Sequence, residues 1–153
     1  MTNVRKATFE DAHCIADLVN LGVSEGQLLP RSLDMIRDSI DNWVVAEEAG
    51  RIVGCGSLLE MSPTLVEVRS LAVALEYRKN GVGAKVVNAL VDEARARGMQ
   101  TVFALTRAVP FFERQGFAIT AMEAFPEKVW RDCVICPVRY ACNETAVVMP
   151  LHE

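Results

Sequence analysis

The spacing of apolar residues changes between two periods along the chain, and this change indicates a mixed α/β protein. Apolar runs with strand-like spacing predict strands at NWVVAEE, RIVGCGSLLEM, VEVRSLAVAL and TVFALT, with shorter strands at residues 4–6, 117–121 and 145–149. A turn at Ala49, Gly50 and Arg51 joins the first two longer runs into a hairpin. The almost wholly apolar TVFALT is typical of a strand in the middle of a covered sheet.

Apolar residues at helical spacing predict two helices near the start of the chain. Thr8 and Asp11 resemble an N-cap pair, and the helix that follows them is predicted to end near Asn20. Ser32 is the predicted N-cap of the second helix, and GVSEGQLLPRS is predicted to be the loop that leads into it. The apolar positions are Ile15, Leu18 and Val19 in the first helix and Leu33, Ile36 and Ile40 in the second.

A longer helix is predicted from Val82 to Arg97, with Gly98 as its stop signal. Glu93 and Arg97 are spaced for an ion pair one helical turn apart. The apolar face consists of Val86, Val87, Leu90, Val91 and Ala94. A short helix is predicted through PFFERQ. Because no linker, repeat or low-complexity tract interrupts the pattern, residues 1–153 are predicted to form one domain, a mixed sheet with helices against it.

Composition and charge narrow the class of protein. The 153 residues are 51% hydrophobic and 24% charged, which is the balance of a globular domain. The net charge of −4 argues against a partner such as nucleic acid or an anionic membrane, while a local basic cluster can still hold an anion. The start, MTNVRKATFEDAHC, has no apolar signal segment, and no apolar run approaches the roughly 20 residues of a bilayer span. We therefore expect a cytoplasmic protein.

The five cysteines are Cys14, Cys55, Cys133, Cys136 and Cys142. An odd number is unremarkable in a reducing compartment, and a disulfide framework is not expected. The last three are spaced so that they could bind zinc with a fourth ligand such as Cys55 or His152. Metal ligands of this kind normally come as two pairs, and the second pair is missing. Free thiols packed as small apolar residues are the favoured interpretation, and no metal is expected.

The segment YRKNGVGAKVVNAL places two glycines and three cationic residues between a predicted strand and a predicted helix. Backbone N–H groups at a helix start lack intrahelical partners and carry the positive end of the helix dipole, so they suit a phosphate. An ordinary tight turn with solvated cations is the alternative, but the Arg78-x-x-Gly81-x-Gly83-Ala84 spacing favours anion binding. The sequence lacks both the G-x-G-x-x-G dinucleotide motif and the GK[ST] ending of a nucleoside-triphosphate loop.

The stretch LAVALEYRKNGVGAKVVNALVDEARARG resembles the acetyl-CoA motif of the GCN5-related N-acetyltransferases (GNAT), and ALTRAVPFFERQGF resembles their later motif. The order of strands and helices is similar over nearly the whole chain. This resemblance implies an α/β (α+β) GNAT fold, with a mixed, mostly antiparallel central sheet flanked by helices, and acetyl-CoA as co-substrate. It also implies that Leu71 and Val73 offer main-chain groups to the pantetheine arm, with the Val73 N–H near the thioester carbonyl. The residues implied to take the CoA pyrophosphate on their backbone amides are Arg78, Lys79, Asn80, Gly81, Val82, Gly83 and Ala84.

Further stretches resemble the short amino-acid N-acetyltransferases that act as N-acetylglutamate synthases. These stretches are GQLLPRS, EVRSLAV, FALTRAVPFFERQGF and PEKVWRDCVICPVRYACNETAVVM. The resemblance implies acetyl transfer to the α-amino group of a small amino acid, with L-glutamate as the best candidate, which is the first step of arginine biosynthesis. Such a transfer needs an uncharged amine, a polarised thioester and cations for two carboxylates. The cationic residues near candidate cleft segments are Arg31, Arg69, Arg107, Lys128 and Arg131.

Strict alternation along VEVRSLAVAL assigns its side chains to two faces. One face carries Glu67, Arg69, Leu71 and Val73, and the other carries Val66, Val68 and Ser70. Arg69 is therefore expected to contact the substrate, and a solvated charge on an edge strand is the alternative. Arg31 is the weaker candidate, because a loop arginine is often merely solvated. Glu67 is the candidate general base for the substrate ammonium, directly or through water, and an ordinary carboxylate paired with Arg69 is the equally weighted alternative.

Many GNAT relatives carry a tyrosine four residues before the glycine of the final G-F, where its hydroxyl can protonate the leaving thiolate. Phe112 occupies this position, so the chain departs from the common pattern and no general acid is carried over. Phe111 and Phe112 are expected to pack against the CoA arm or in the core.

Two rival functions stay open from the sequence. One is a non-catalytic module that binds acetyl-CoA, which the absent tyrosine makes conceivable. The other is acetylation of another small amine or of a protein. A polyamine acceptor would need an acidic cleft, whereas the cleft segments here carry arginines. The oligomeric state, a homodimer included, and feedback by arginine also stay open.

Overall fold

A computed structural model describes residues 2–26, 28, 30–120 and 145–151 of the chain. Several residues singled out above lie outside these described ranges. They are Lys128, Arg131, Cys133, Cys136, Cys142 and His152.

The described ranges contain seven strands and four α-helices. The strands are β1 (Asn3–Lys6), β2 (Trp43–Glu48), β3 (Arg51–Glu60), β4 (Leu65–Val73), β5 (Thr101–Thr106), β6 (Ala118–Thr120) and β7 (Thr145–Pro150). The α-helices are α1 (Ala12–Ser24), α2 (Leu33–Asp38), α3 (Val82–Ala96) and α4 (Val109–Arg114). Single 3-10 turns lie at Phe9–Asp11, Ile40–Asn42 and Leu75–Tyr77. In this part of the chain, no helix combines the length and the apolar character that crossing a bilayer requires.

The strands form a sheet in the order β1-β2-β3-β4-β5-β7-β6. Neighbours pair antiparallel between β1 and β2, β2 and β3, β5 and β7, and β6 and β7. Strands β4 and β5 pair parallel, from Leu65 opposite Thr101 to Glu67 opposite Phe103. The predicted mixed, mostly antiparallel sheet flanked by helices is confirmed.

The chain divides into two compact units, one made of Met1–Leu59 and Val68–Glu93 and the other of Glu60–Glu67 and Ala94–Glu153. The first unit has a buried interior that includes Ile15, Val45, Val53, Val86 and Leu90. The second has a buried cluster around Phe103 and Ala146. The prediction that residues 1–153 form a single domain stays a prediction.

Helix α3 follows the sequence pattern closely. All five residues of its predicted apolar face are buried. Gly98 ends the helix in a left-handed conformation, with its N–H donating to the Arg95 carbonyl at 3.0 Å and the Met99 N–H donating to the Ala94 carbonyl at 3.1 Å. Two glycines of β3 allow α3 to pack closely on this strand, because a Cβ at Gly54 would lie 2.8 Å from Val82 and a Cβ at Gly56 would lie 2.9 Å from Leu90.

The first two helices differ from the prediction in length. Helix α1 continues to Ser24 instead of ending near Asn20, and thus includes the first residues of the predicted loop. Inside this helix, position 22 has no room for a side chain, because the Leu28 side chain occupies the space that a Cβ would need. The Leu28 N–H donates to the Gly22 carbonyl at 3.3 Å.

Helix α2 ends at Asp38, so Ile40, which was predicted to belong to its apolar stripe, lies in the following 3-10 turn. Ser39 explains this early end. Its hydroxyl donates to the Met35 carbonyl at 2.7 Å and accepts from the Trp43 indole N–H at 3.0 Å. The predicted N-cap is confirmed, since the Met35 N–H donates to the Ser32 hydroxyl at 3.1 Å.

Candidate active site

Strand β4 is not regular in its second half. Ser70 has a φ of +57°, which lies in the left-handed region that a strand residue seldom adopts. This left-handed residue interrupts the regular strand geometry on which the expected alternation of side chains was based. From Val68 to Val73 burial still alternates, with Arg69, Leu71 and Val73 half-buried, whereas Glu67 is buried. Serine carries no signal for a left-handed residue in the way that glycine does, and the sequence interpretation missed it.

Side chains of β3 satisfy backbone groups around this irregularity. The Cys55 thiol donates to the Ser70 carbonyl at 3.8 Å, and the Ser57 hydroxyl donates to the Arg69 carbonyl at 3.3 Å. Burial raises the pKa of the Cys55 thiol to about 12, so this thiol keeps its proton at neutral pH. Cys55 is therefore a packing residue that supports the end of β4.

The segment between β4 and α3 forms the turn that the glycine spacing predicted. Lys79 has a φ of +70° and Gly81 a φ of +82°. Space does not require the glycine at position 81, since a Cβ there would contact nothing within 4 Å, so the left-handed backbone is the reason for it. The Lys85 N–H donates to the Gly81 carbonyl at 3.1 Å and closes the first turn of α3.

The start of α3 offers a set of backbone donors. The N–H groups of Val82, Gly83 and Ala84 precede the hydrogen bond from Lys85, so helix geometry gives them no partner four residues earlier within α3. They lie at the positive end of the helix dipole. The exposed side chains of Lys79 and Lys85 flank the same turn in the sequence. This arrangement can bind an anionic group such as a phosphate.

The Arg78 side chain is hydrogen-bonded to two other parts of the protein. Its Nη2 lies 2.8 Å and its Nη1 lies 3.0 Å from the two carboxylate oxygens of Glu25, the residue that follows α1. Its Nε donates to the Val73 carbonyl at 3.1 Å. The Arg78 guanidinium lowers the pKa of the Glu25 carboxyl, and Glu25 in turn raises the pKa of Arg78. In this structure the guanidinium therefore contacts a carboxylate and a backbone carbonyl.

A second ion pair anchors the 3-10 turn before Arg78. Arg51, at the start of β3, places its Nη2 2.9 Å from Glu76 Oε2. The Arg51 guanidinium also lies 5.8 Å from the centre of the Tyr77 ring. Both partners of the ion pair are more than half exposed, so water screens the interaction and its contribution to stability is small.

The predicted base and acceptor-binding residues lie on several elements. Glu67 is 2% exposed and pairs with the fully buried Phe103 in the ladder between β4 and β5. Arg69 follows on β4 and is half-buried. Arg31 is half-buried before α2, where its Nη1 donates to the Pro30 carbonyl at 3.0 Å. Arg107 is exposed and directly follows β5. The roles of these residues stay predictions. Arg78 at the turn contacts Glu25 and the Val73 carbonyl.

Phe112 is buried in an aromatic cluster of the second unit. Its ring meets the rings of Phe111 and Phe117 edge to face, at centroid distances of 5.1 Å and 5.2 Å. A contact between Phe112 and the CoA arm stays a prediction. Cys133, Cys136 and Cys142 lie outside the described residues. Within the described ranges, no group of three or more His, Cys, Asp or Glu residues is placed to hold a metal ion.

Comparison with known proteins assigns this strand, turn and helix to a family. Residues 14–117 match the acetyltransferase (GNAT) family. The chain belongs to the GNAT family. It is 38% identical over 150 residues to an uncharacterized N-acetyltransferase of Chlorobaculum tepidum, a match that covers 98% of this chain and 97% of the relative. The family predicted from the sequence is thus confirmed.

Amino-acid acetyltransferases are also among the relatives of this GNAT protein. The chain is 33% identical over 125 residues to the amino-acid acetyltransferase of Pseudomonas fluorescens. This match covers 80% of the chain but only 29% of the relative, so the chain spans less than a third of that longer enzyme.

Solved GNAT structures resemble the fold over essentially the full chain. The protein Rv2747 of Mycobacterium tuberculosis, in complex with CoA and NLQ, has a TM-score of 0.83 and 27% identity, covering 98% of this chain and 99% of that one. N-acetylglutamate synthase of Neisseria gonorrhoeae, complexed with coenzyme A and N-acetyl-glutamate, has a TM-score of 0.85 and 25% identity. That match covers all of this chain and 36% of the synthase chain.

Proposed function

We propose that this GNAT acetyltransferase transfers the acetyl group of acetyl-CoA to the α-amino group of a small amino acid, with L-glutamate as the preferred acceptor. The observation that carries the proposal is the turn between β4 and α3, where the N–H groups of Val82, Gly83 and Ala84 form an anion site at the start of a long helix. The two similar structures solved with CoA support the same ligand for this turn.

In the proposed complex, the CoA pyrophosphate accepts hydrogen bonds from the amides between Arg78 and Ala84. Gly83 has no side chain, so the phosphate oxygens can approach the backbone closely. The exposed ammonium groups of Lys79 and Lys85 supply positive charge beside this turn. The pantetheine arm then runs along the end of β4, where Leu71 and Val73 offer main-chain groups.

The proposed chemistry is direct transfer to the amine. Glu67 takes one proton from the substrate ammonium, and the amine nitrogen then attacks the thioester carbonyl carbon. The Val73 N–H stabilises the negative charge that develops on the carbonyl oxygen. As the C–S bond breaks, the amine nitrogen loses its second proton to solvent and the CoA thiolate leaves. Phe112 has no proton to give, so the thiolate is protonated by water.

Two lines support an amino-acid acceptor. The relatives include amino-acid acetyltransferases, and one similar structure is an N-acetylglutamate synthase with N-acetyl-glutamate bound. The chain also carries arginines at candidate cleft positions, of which Arg69 on β4 is the best placed for an acceptor carboxylate. Arg31, Arg107 and Lys128 are proposed as further carboxylate contacts. A product of this kind would place the enzyme at the first step of arginine biosynthesis.

A panel of acceptors tests the proposal. Purified protein is incubated with acetyl-CoA and with L-glutamate, L-glutamine, L-aspartate, spermidine or a lysine peptide, and CoA release is followed together with product mass. We expect kcat/KM to be highest for L-glutamate and turnover of spermidine to be absent. Glu67→Gln, which keeps the side-chain shape, should lose most turnover and keep CoA binding.

Other outcomes of the panel would replace the proposal. CoA binding without turnover of any amine would make the protein a binding module. Efficient turnover of spermidine or of the peptide, with none of glutamate, would show that the acceptor class is wrong.

A further inference from the structure

Arg78 is held in one orientation by partners on both sides of its guanidinium. The Glu25 carboxylate accepts hydrogen bonds from the two Nη atoms at 2.8 Å and 3.0 Å, and the Val73 carbonyl accepts one from Nε at 3.1 Å. A guanidinium that binds a carboxylate through two parallel hydrogen bonds has a fixed plane and a fixed direction. The third donor is thereby aimed at the end of β4. We call this set of residues, Glu25, Arg78 and Val73, the Arg78 clamp.

The Arg78 clamp acts on one peptide unit. The carbonyl oxygen of the Val73–Ala74 peptide accepts from Arg78, and the Ala74 N–H of the same peptide donates to the Val53 carbonyl at 2.8 Å. A planar peptide with both polar groups bonded to different partners cannot rotate freely about its neighbouring bonds. The peptide on the carbonyl side of Val73 is therefore held in place, although β4 is irregular at Ser70. The Val73 N–H belongs to the preceding peptide, so the clamp acts on it through the Val73 Cα.

We infer that Arg78 is a positioning residue, and that Glu25 orients it so that it fixes the Val73 backbone for acetyl transfer. The inference rests on the proposed function, in which the Val73 N–H binds the thioester carbonyl. The backbone amide of Arg78 keeps its proposed place at the pyrophosphate, while the guanidinium acts on the reacting end of the cofactor. Glu25 thereby gains a role that its place after α1 would not suggest, since it is 53 residues from Arg78 in the sequence.

The alternative is that the guanidinium binds phosphate once CoA is present. The two roles predict different effects of substitution. A phosphate contact would make Arg78 important for CoA affinity, and lysine would replace it in part, because an ammonium also binds phosphate. A positioning role needs the forked guanidinium, which can contact Glu25 and Val73 together. Lysine cannot make both contacts with that geometry.

The experiment compares Glu25→Gln and Arg78→Lys with a matched control, Glu76→Gln. The control removes the exposed ion pair with Arg51 near the same turn, a contact that does not reach Val73. For both clamp variants we expect kcat to fall about tenfold through misplacement of the thioester, with the CoA dissociation constant within about threefold of the parent. The control should keep parental kcat. Calorimetric titration with CoA measures the dissociation constant, and steady-state kinetics with saturating acceptor measures kcat.

A readout without turnover separates this inference from the proposed function. In ligand-free protein, amide hydrogen exchange at Ala74 should be faster in Glu25→Gln than in the parent, and unchanged in Glu76→Gln. If the parent turns over no amine, the proposed function fails and the exchange result still tests the clamp. Parental exchange at Ala74 in Glu25→Gln would overturn the inference. So would a large loss of CoA affinity in Arg78→Lys with kcat preserved, since this would make the guanidinium a phosphate ligand.

Discussion

Among the described cationic residues proposed to bind the acceptor, Arg69 is the one that lies on a strand. It lies on β4 two residues after Glu67 and is half-buried, whereas Arg107 is exposed after β5. A guanidinium that is partly removed from water makes a stronger bond to a carboxylate than a solvated one, and the strand fixes its backbone. Its position on the strand therefore favours it as the main acceptor contact.

Arg69→Met tests this role while keeping a side chain of similar length. Methionine cannot form the two-pronged bond to a carboxylate, so the loss in transition-state binding should be about 2–4 kcal/mol. We expect kcat/KM for L-glutamate to fall accordingly and the dissociation constant of acetyl-CoA to stay within a few-fold of the parent. Kinetics with varied glutamate, paired with CoA calorimetry, measures both. Loss of CoA affinity with parental glutamate kinetics would show that Arg69 serves the cofactor.

Single residues also show where sequence interpretation reaches its limit. The turn between β4 and α3 was predictable, because glycine spacing and helix start are local features. The partner of the Arg78 side chain was not, since Glu25 is brought to it only by the packing of α1 in the first unit. The left-handed backbone of Ser70 was equally hidden, because β4 has a clear strand pattern and serine does not mark the break.

Among the secondary-structure elements, α3 matters most for the proposed phosphate site, because its first N–H groups are the proposed donors. Its apolar face is buried, and the glycines of β3 allow the helix to lie close to that strand. Such strong periodicity made its bounds predictable to within one residue at its end. The ends of α1 and α2 were predicted less well, because they involve the packing of Leu28 on Gly22 and the hydrogen bonds of Ser39 to Met35 and Trp43, which the apolar spacing does not reveal.

Gly83→Val tests the turn at the level of this helix. Gly83 is the second residue of α3, and valine has a higher helix propensity than glycine, so the fold should tolerate the change. The added side chain would obstruct the approach of a phosphate to the amides, and we expect CoA affinity to fall about tenfold or more. Asn88→Val, an exposed position on the same helix, is the matched control and should bind CoA as the parent does. Equal calorimetric affinities for Gly83→Val and the parent would contradict a pyrophosphate site at this turn.

On the scale of the whole molecule, the number of independently folding units is the open question. The uninterrupted element pattern predicts one domain, while the chain divides into two compact units. The proposed pyrophosphate turn lies entirely within the unit made of Met1–Leu59 and Val68–Glu93. A ligand that binds there stabilises whatever part of the chain unfolds together with that turn, because binding to the folded form alone lowers its free energy.

Thermal unfolding with and without acetyl-CoA distinguishes the two cases. For a single cooperative domain we expect one calorimetric transition, and ligand at a hundred times its dissociation constant should stabilise the folded form by about 2.7 kcal/mol. For a chain of this size such a gain raises the Tm of the entire transition by roughly 5–10 °C. Two transitions, of which acetyl-CoA moves only one, would show that the units unfold independently and that the single-domain prediction is wrong. A Tm that does not change at saturating acetyl-CoA would instead contradict cofactor binding, whichever number of transitions is seen.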